Sequence, residues 1–245
     1  MRRNRCFAAL SMTVMLAALV SCSVKEDRSD CPCWLTVRAS YPQELVSAWL
    51  GTHTLFEKHA GELVDYRVPR GIVELMASTG DFTVPEGQQM AELFASLTKV
   101  NTVCEETEVI PALHKQFARV DIDFKDEDDG RTGYDLLVIG TVVGADKRTL
   151  EPVEGPFCCV PEPFADGRGY EFRVPRQKDE SLKLEMSVGG KLIETIDLGY
   201  LIGKTGFDWK AENLGDVSIL CDLPAHTFTI TVMEWEGPVT FNITI

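Results

Sequence analysis

Apolar and polar side chains alternate with a period of two along most of the chain beyond residue 33, the pattern of strands with one dry face. Leu35, Val37 and Ala39 alternate with Thr36, Arg38 and Ser40. Val64, Tyr66 and Val68 repeat the pattern, as do Val73, Leu75 and Ala77. Lys58-His59-Ala60-Gly61 and Pro69-Arg70-Gly71 supply turn residues between them. After Pro85-Glu86-Gly87 the period changes. Met90, Leu93, Phe94 and Leu97 fall at helical spacing, which predicts a short helix over Gln88–Leu97.

Period two returns near Gln116. Ala118, Val120, Ile122 and Phe124 face one way, and Arg119, Asp121 and Asp123 the other. Lys125 to Gly133 reads as an acidic turn. Tyr134 to Val143 is a nearly unbroken apolar run, fit for a central strand. Tyr170–Val174 and Leu182–Val188 follow, and Gly189-Gly190 predicts a hairpin into Lys191–Leu198. Val217, Ile219, Cys221 and Leu223 alternate again. Phe228, Ile230 and Val232 then alternate with Thr227, Thr229 and Thr231, and the last strand points Val239, Phe241, Ile243 and Ile245 one way. Many short strands with turn residues between them predict an all-β protein built of β-sandwiches. At 245 residues and 44% apolar content the chain is globular, of one or two domains. The two blocks of alternation predict two domains, residues 34–113 and 114–245, with the boundary between Pro111 and Gln116 and short helical connections.

The first 33 residues read differently. Arg2, Arg3 and Arg5 precede an apolar stretch from Phe7 to Val20, and Leu19-Val20-Ser21-Cys22 closes it. This is the order of a secretory signal over residues 1–21, its last four residues resembling a bacterial lipobox. The stretch is short for a span of ~20 residues. The expected chemistry is cleavage before Cys22 and acylation of that cysteine, leaving residues 22–33 as a lipidated acidic tether in the outer membrane. Several acyl chains on one cysteine make such an anchor permanent, since each buried methylene contributes about 0.8 kcal/mol. Lys25-Glu26-Asp27 resembles the lysine-plus-acidic export signal that carries Bacteroidota lipoproteins to the cell surface.

The formal charge is −14, and loss of Arg2, Arg3 and Arg5 makes the mature chain more acidic still. Such a surface disfavours nucleic acid as a partner. Of the eight cysteines, Cys6 leaves with the signal and Cys22 takes lipid. Cys31, Cys33, Cys104, Cys158, Cys159 and Cys221 remain, an even set in an oxidising compartment and therefore candidates for disulfides. One bridge in each half is expected: Cys31 or Cys33 to Cys104, and Cys158 or Cys159 to Cys221. Neither Cys31-Pro32-Cys33 nor Cys158-Cys159 has the spacing that closes two thiolates on one zinc ion.

Signals for catalysis, a cofactor or a metal are absent from the sequence. It has no nucleophile elbow, no paired-histidine metal helix and no glycine-rich phosphate loop. His53, His59, His114 and His226 are scattered. Asp126-Glu127-Asp128-Asp129-Gly130 has carboxylates but places its glycine too early for a calcium loop, so a solvated turn is expected. Trp34, Trp49, Trp209 and Trp235 could stack on sugar if several lay coplanar and exposed. That is the discriminating feature for an alternative role, a surface glycan-binding lipoprotein of a nutrient-uptake system.

Ile196 to Ile202, Gly206-Phe207-Asp208-Trp209, Leu214-Gly215-Asp216-Val217, Thr229 to Val232 and Trp235-Glu236 resemble the tail of the FimB-like fimbrial anchor family, lipoproteins of type V pili in Bacteroidota. The lipid cysteine, the acidic stretch and Cys31-Pro32-Cys33 ahead of the first strand agree in order. The resemblance implies two tandem transthyretin-like β-sandwich domains and no catalysis. It implies a subunit that holds the fibre to the outer membrane and limits its length, with a fimbrial stalk subunit as partner by β-strand addition. An anchor is expected to keep its first strand, Trp34 to Ser40, because losing it would detach the body from the lipid.

Overall fold

The computed structural model describes residues 31–39, 45–50, 53–59, 61–125, 134–165, 167, 169–234 and 237–244. The signal, Cys22 and Lys25-Glu26-Asp27 therefore lie outside the described residues, as do the acidic turn at 126–133 and Trp235.

The first block folds as two facing sheets. Strands β1 (Cys33–Arg38), β4 (Leu63–Val68) and β7 (Glu106–Val109) form a three-stranded sheet with β1 in the middle. Strands β2 (Leu45–Leu50), β3 (His53–His59), β5 (Ile72–Ser78), β6 (Phe94–Asn101) and β8 (His114–Lys115) form a five-stranded sheet in the order β3-β2-β5-β6-β8. The alternation read from the sequence decides which faces meet. Cys33, Leu35, Val37 and Ala39 are fully buried and pack with Val46, Ala48, Leu75, Ala77 and Val100 from the opposing sheet. Pro69-Arg70-Gly71 is a crossing from one sheet to the other rather than a hairpin, because β4 pairs with β1 while β5 pairs with β2 and β6.

The second block repeats the plan with a larger core. Strands β9 (Phe117–Phe124), β12 (Glu162–Pro163), β13 (Gly169–Pro175), β16 (Asp216–Asp222), β17 (Thr227–Glu234) and β18 (Gly237–Thr244) form a six-stranded sheet, β12-β13-β9-β16-β17-β18. Strands β10 (Asp135–Ala145), β11 (Pro152–Cys159), β14 (Lys183–Val188) and β15 (Lys191–Ile196) form the opposing sheet, β11-β10-β14-β15. The apolar run after Tyr134 is indeed an inner strand, flanked by β11 and β14. Gly189 and Gly190 turn β14 into β15 with φ of 58° and 78°, the left-handed pair that a two-residue hairpin of right-twisted strands requires. Phe172, Leu182, Leu184, Met186, Leu201 and Ile202 are among the fully buried side chains of this core, each stabilising the fold by about 1.5–3 kcal/mol. The predicted strand over Lys191–Leu198 stops at Ile196. A short helix, α1 (Leu198–Lys204), then buries Leu198, Leu201 and Ile202 in the same core.

The predicted helix over Gln88–Leu97 does not form. Residues 84–93 run irregularly over the second block, and Phe94 begins β6. Tertiary hydrogen bonds replace the helical ones: Val84 N–H donates to Val143 O (2.7 Å), Met90 N–H to Arg173 O (3.0 Å) and Gln116 N–H to Leu93 O (2.9 Å). Met90 and Leu93 are buried, but against Met76, Ala95, Phe117 and Ala145, a small core shared by both blocks. Met90, Leu93 and Phe94 share that core while Leu97 is an exposed residue of β6, so the helical spacing joins residues in unlike settings.

Candidate subunit-contact edge

A sheet that ends in an unpaired strand offers a row of free backbone donors and acceptors, and proteins usually blunt such edges with charge, proline, bulges or shortness. The four sheets leave eight terminal strands among the described residues. β8 and β12 have two residues each. β4 carries Asp65 and Arg67, and β7 carries Glu106 and Glu108. β11 holds Pro152, Glu154 and Pro156, and β3 has Glu57 and Lys58 in its sequence. β15 carries Lys191 and Glu194, and its pairing with β14 slips between Met186 and Ser187, which leaves Ile193 as the extra residue of a bulge.

β18 differs from all of these. Gly237–Thr244 contains no charged side chain. It pairs with β17 over its whole length without a register shift, from Glu234 opposite Gly237 to Thr227 opposite Thr244. Phe241 and Ile243 are half-buried against the core, and Val239 on the same face is 42% exposed. On the other face Thr231 and Thr240 join hydroxyls at 3.1 Å, and the Thr229 hydroxyl donates to Asn242 Oδ1 at 2.9 Å. The terminal strand thus closes onto its own sheet, and its outer side is a straight, neutral, amphipathic edge. Pro238, at its start, is the one blunting residue.

The first strand is placed oppositely. β1 lies between β4, antiparallel, and β7, parallel, so both of its edges are occupied. Arg38 lies in this paired strand and donates to Glu108 Oε1 at 3.1 Å.

The six described cysteines are all free thiols in the structure. Cys33, Cys159 and Cys221 are fully buried, while Cys31 and Cys104 are exposed. Burial pushes the Cys159 and Cys221 thiols up to about 12, with Cys158 adding to the effect at Cys159. Cys159 and Cys221 share the second core but no disulfide joins them.

The described tryptophans do not gather. Trp34 is 46% exposed beneath Arg67, 5.0 Å from its ring centre. Trp49 packs edge-on against Phe82 (6.0 Å) and Trp209 edge-on against Phe207 (4.7 Å), so these rings are packing elements rather than a flat platform. Trp209 borders a groove of about 1030 Å³ between the blocks. Arg176 crosses there, donating to Trp209 O (2.6 Å), Ala211 O (2.8 Å) and Gln116 Oε1 (2.9 Å). This clamp was not readable in the sequence, because its acceptors are backbone oxygens and a glutamine from distant segments. His114 is engaged by Glu212 (2.9 Å) and Asn213 (3.1 Å), which ties β8 to the second block. No group of three or more histidine, cysteine or acidic residues able to hold a metal ion occurs among the described residues.

No protein-family model and no curated protein matches the sequence. Solved structures share its fold at low identity. A protein of Bacteroides thetaiotaomicron described as a candidate polysaccharide binder aligns over 86% of this chain and 98% of its own, with 15% identity and a TM-score of 0.57. A candidate adhesin from Bacteroides ovatus aligns over 89% and 97%, at 12% identity and a TM-score of 0.51. The fimbrial anchor protein Mfa2 from Porphyromonas gingivalis aligns over 84% and 98%, at 13% identity and a TM-score of 0.52. At these identities what is shared is the all-β, two-block architecture.

Proposed function

We propose that this chain is a structural subunit of a cell-surface fimbria, held to the outer membrane by lipid on Cys22 and exported under Lys25-Glu26-Asp27. In this reading the chain forms two sandwich domains whose boundary lies between Pro111 and Gln116, at β8, which completes the sheet of the first. It anchors the fibre and limits its length by taking a stalk subunit through backbone pairing along β18. The observation that carries the reading is the uncharged, bulge-free β18 edge, where the other seven sheet edges among the described residues carry charge, a bulge or only two residues. Strand addition needs free ladder groups for affinity and alternating side chains for register, and this edge has both. The central position of β1 supports retention of the first strand, since its removal would strip a partner from two neighbours and uncover Cys33, Leu35 and Val37. The shared fold with a fimbrial anchor protein is in keeping with the role. The acidic surface suits a body held just off a membrane and needs no catalytic site.

The experiment is gene deletion followed by electron microscopy of the cell surface, with complementation by the wild-type chain and by a Thr240→Lys/Asn242→Lys double variant. Deletion is expected to give detached or overlong fibres. The double variant is expected to reach the surface folded yet fail to restore attachment. Fibres of normal number, length and attachment in the deletion strain would refute the reading. The glycan-binding alternative has one observation in its favour, the groove bordered by Trp209 in a fold shared with a candidate polysaccharide binder. The edge-on packing of Trp209 weakens it.

A further inference from the structure

We infer that Cys31 and Cys104 form a disulfide that staples the entry of the chain to the body and carries load from the lipid tether past the first strand. The mechanical role rests on the anchor reading, whereas the bond itself does not.

The two cysteines belong to segments that the fold brings side by side. β1 and β7 run parallel with Trp34 opposite Glu106, and Trp34 N–H donates to Glu105 O at 2.8 Å. Cys31 lies three residues before Trp34 and Cys104 two residues before Glu106, in the bends that lead into the two paired strands. A disulfide joins Cα atoms about 4.4–6.8 Å apart, the scale of the spacing of about 4.8 Å between neighbouring strands. An independent set of contacts holds both segments to the turn between β4 and β5. Arg70 Nε donates to Cys31 O at 2.7 Å, while Thr102 N–H donates to Gly71 O and its hydroxyl to Pro69 O, both at 2.7 Å.

The sequence left Cys31 and Cys33 as equal partners for Cys104, and the fold separates them. Cys33 is on the dry face of β1 with its Sγ 3.6 Å from Thr107 Oγ1, inside the sandwich. Cys104 is exposed, and so is Cys31. A bond from Cys33 to Cys104 would have to pull one side chain out of the core or drive the other in.

The step balances as a thiol–disulfide exchange. The thiols of Cys31 and Cys104 lose two protons and two electrons as the S–S bond forms. The disulfide of an envelope thiol oxidoreductase accepts them and becomes a dithiol. Tension arriving from the tether would otherwise act first on the hydrogen bonds of β1 to β4 and β7. With the staple in place it passes at Cys31 directly to the β6–β7 turn, and β1 stays unloaded.

The test uses the full-length protein extracted from membranes without reductant, alkylated with iodoacetamide and mapped by peptide mass spectrometry. A linked Cys31–Cys104 peptide is expected. It should vanish on reduction and in Cys31→Ser or Cys104→Ser, and survive in Cys33→Ser. Alkylated Cys31 and Cys104 in the unreduced wild type, or a Cys33–Cys104 link, would overturn the assignment. The load role is read by single-molecule pulling between the tether and the C-terminus. The oxidised chain should release roughly 250 Å less contour length than the reduced one, because the closed loop is withheld. Equal lengths would overturn it. Neither readout depends on fimbriae, so failure of the anchor reading in the deletion strain stays distinguishable.

Discussion

Cys159 and Cys221 show how burial turns a reactive side chain into packing. Both thiols sit in the second core, and the loss of solvent there raises each from 9.0 to about 12. An unfolded chain would release those protons near pH 9 while the folded one keeps them. Stability from these groups is therefore complete below pH 9 and is lost as pH rises towards 12. Urea unfolding should show a lower midpoint at pH 10 than at pH 8, by on the order of 1 kcal/mol for each thiol, and Cys221→Ala should flatten that slope. Iodoacetamide at pH 8 should leave both untouched in the folded protein. Gly144 is a second residue whose role is set by its surroundings. Its φ is 146°, and a Cβ there would lie 2.0 Å from Phe82 O, where residues of the first block cross the end of β10. Gly144→Ala is expected to cost about 2–4 kcal/mol through strain and the lost crossing, read as a fall in the unfolding midpoint.

At the scale of elements, period two carried most of the information. The dry faces of β1, β9, β16 and β17 are the alternating apolar sets read from the sequence: Leu35 and Val37; Val120 and Ile122; Val217 and Ile219; Ile230 and Val232. One-sided burial forces this alternation, so such strands are legible. The segment before β6 was not, because its backbone bonds go to residues far along the chain and its apolar side chains serve the core between the blocks. Met90→Ala should remove about 2–5 kcal/mol by opening a cavity there, measurable by thermal unfolding, although a helix of that composition would tolerate alanine. Edge status is also invisible in sequence. Charges on β4, β7 and β15 and the lack of them on β18 gain meaning only once strand order is known. Thr240→Lys and Asn242→Lys each remove one cross-strand hydrogen bond and are expected to cost about 0.5–1.5 kcal/mol apiece while abolishing pairing at this edge, checked by co-purification of the stalk subunit.

For the whole molecule, the proposed lipid address and the folded body make separate predictions. Cys22→Ala should move the protein from the membrane to the soluble fraction with its circular dichroism unchanged; continued membrane retention would count against lipidation. The body itself depends on both blocks, since the shared core of Met76, Met90, Leu93 and Phe117 joins them, as does Gln116, which Arg176 holds and which donates to Leu93 O and Ala95 O. Local chemistry along the chain was enough to specify the address motifs, the acidic balance, the strands and the all-β class. Each of these is a property of neighbours in sequence, where side-chain period and residue type act directly. Strand order, the open edge of β18, the crossing at Gly144 and the burial of Cys33 beside an exposed Cys31 are properties of neighbours in space. They follow from which distant faces exclude water together, and no local pattern encodes that choice.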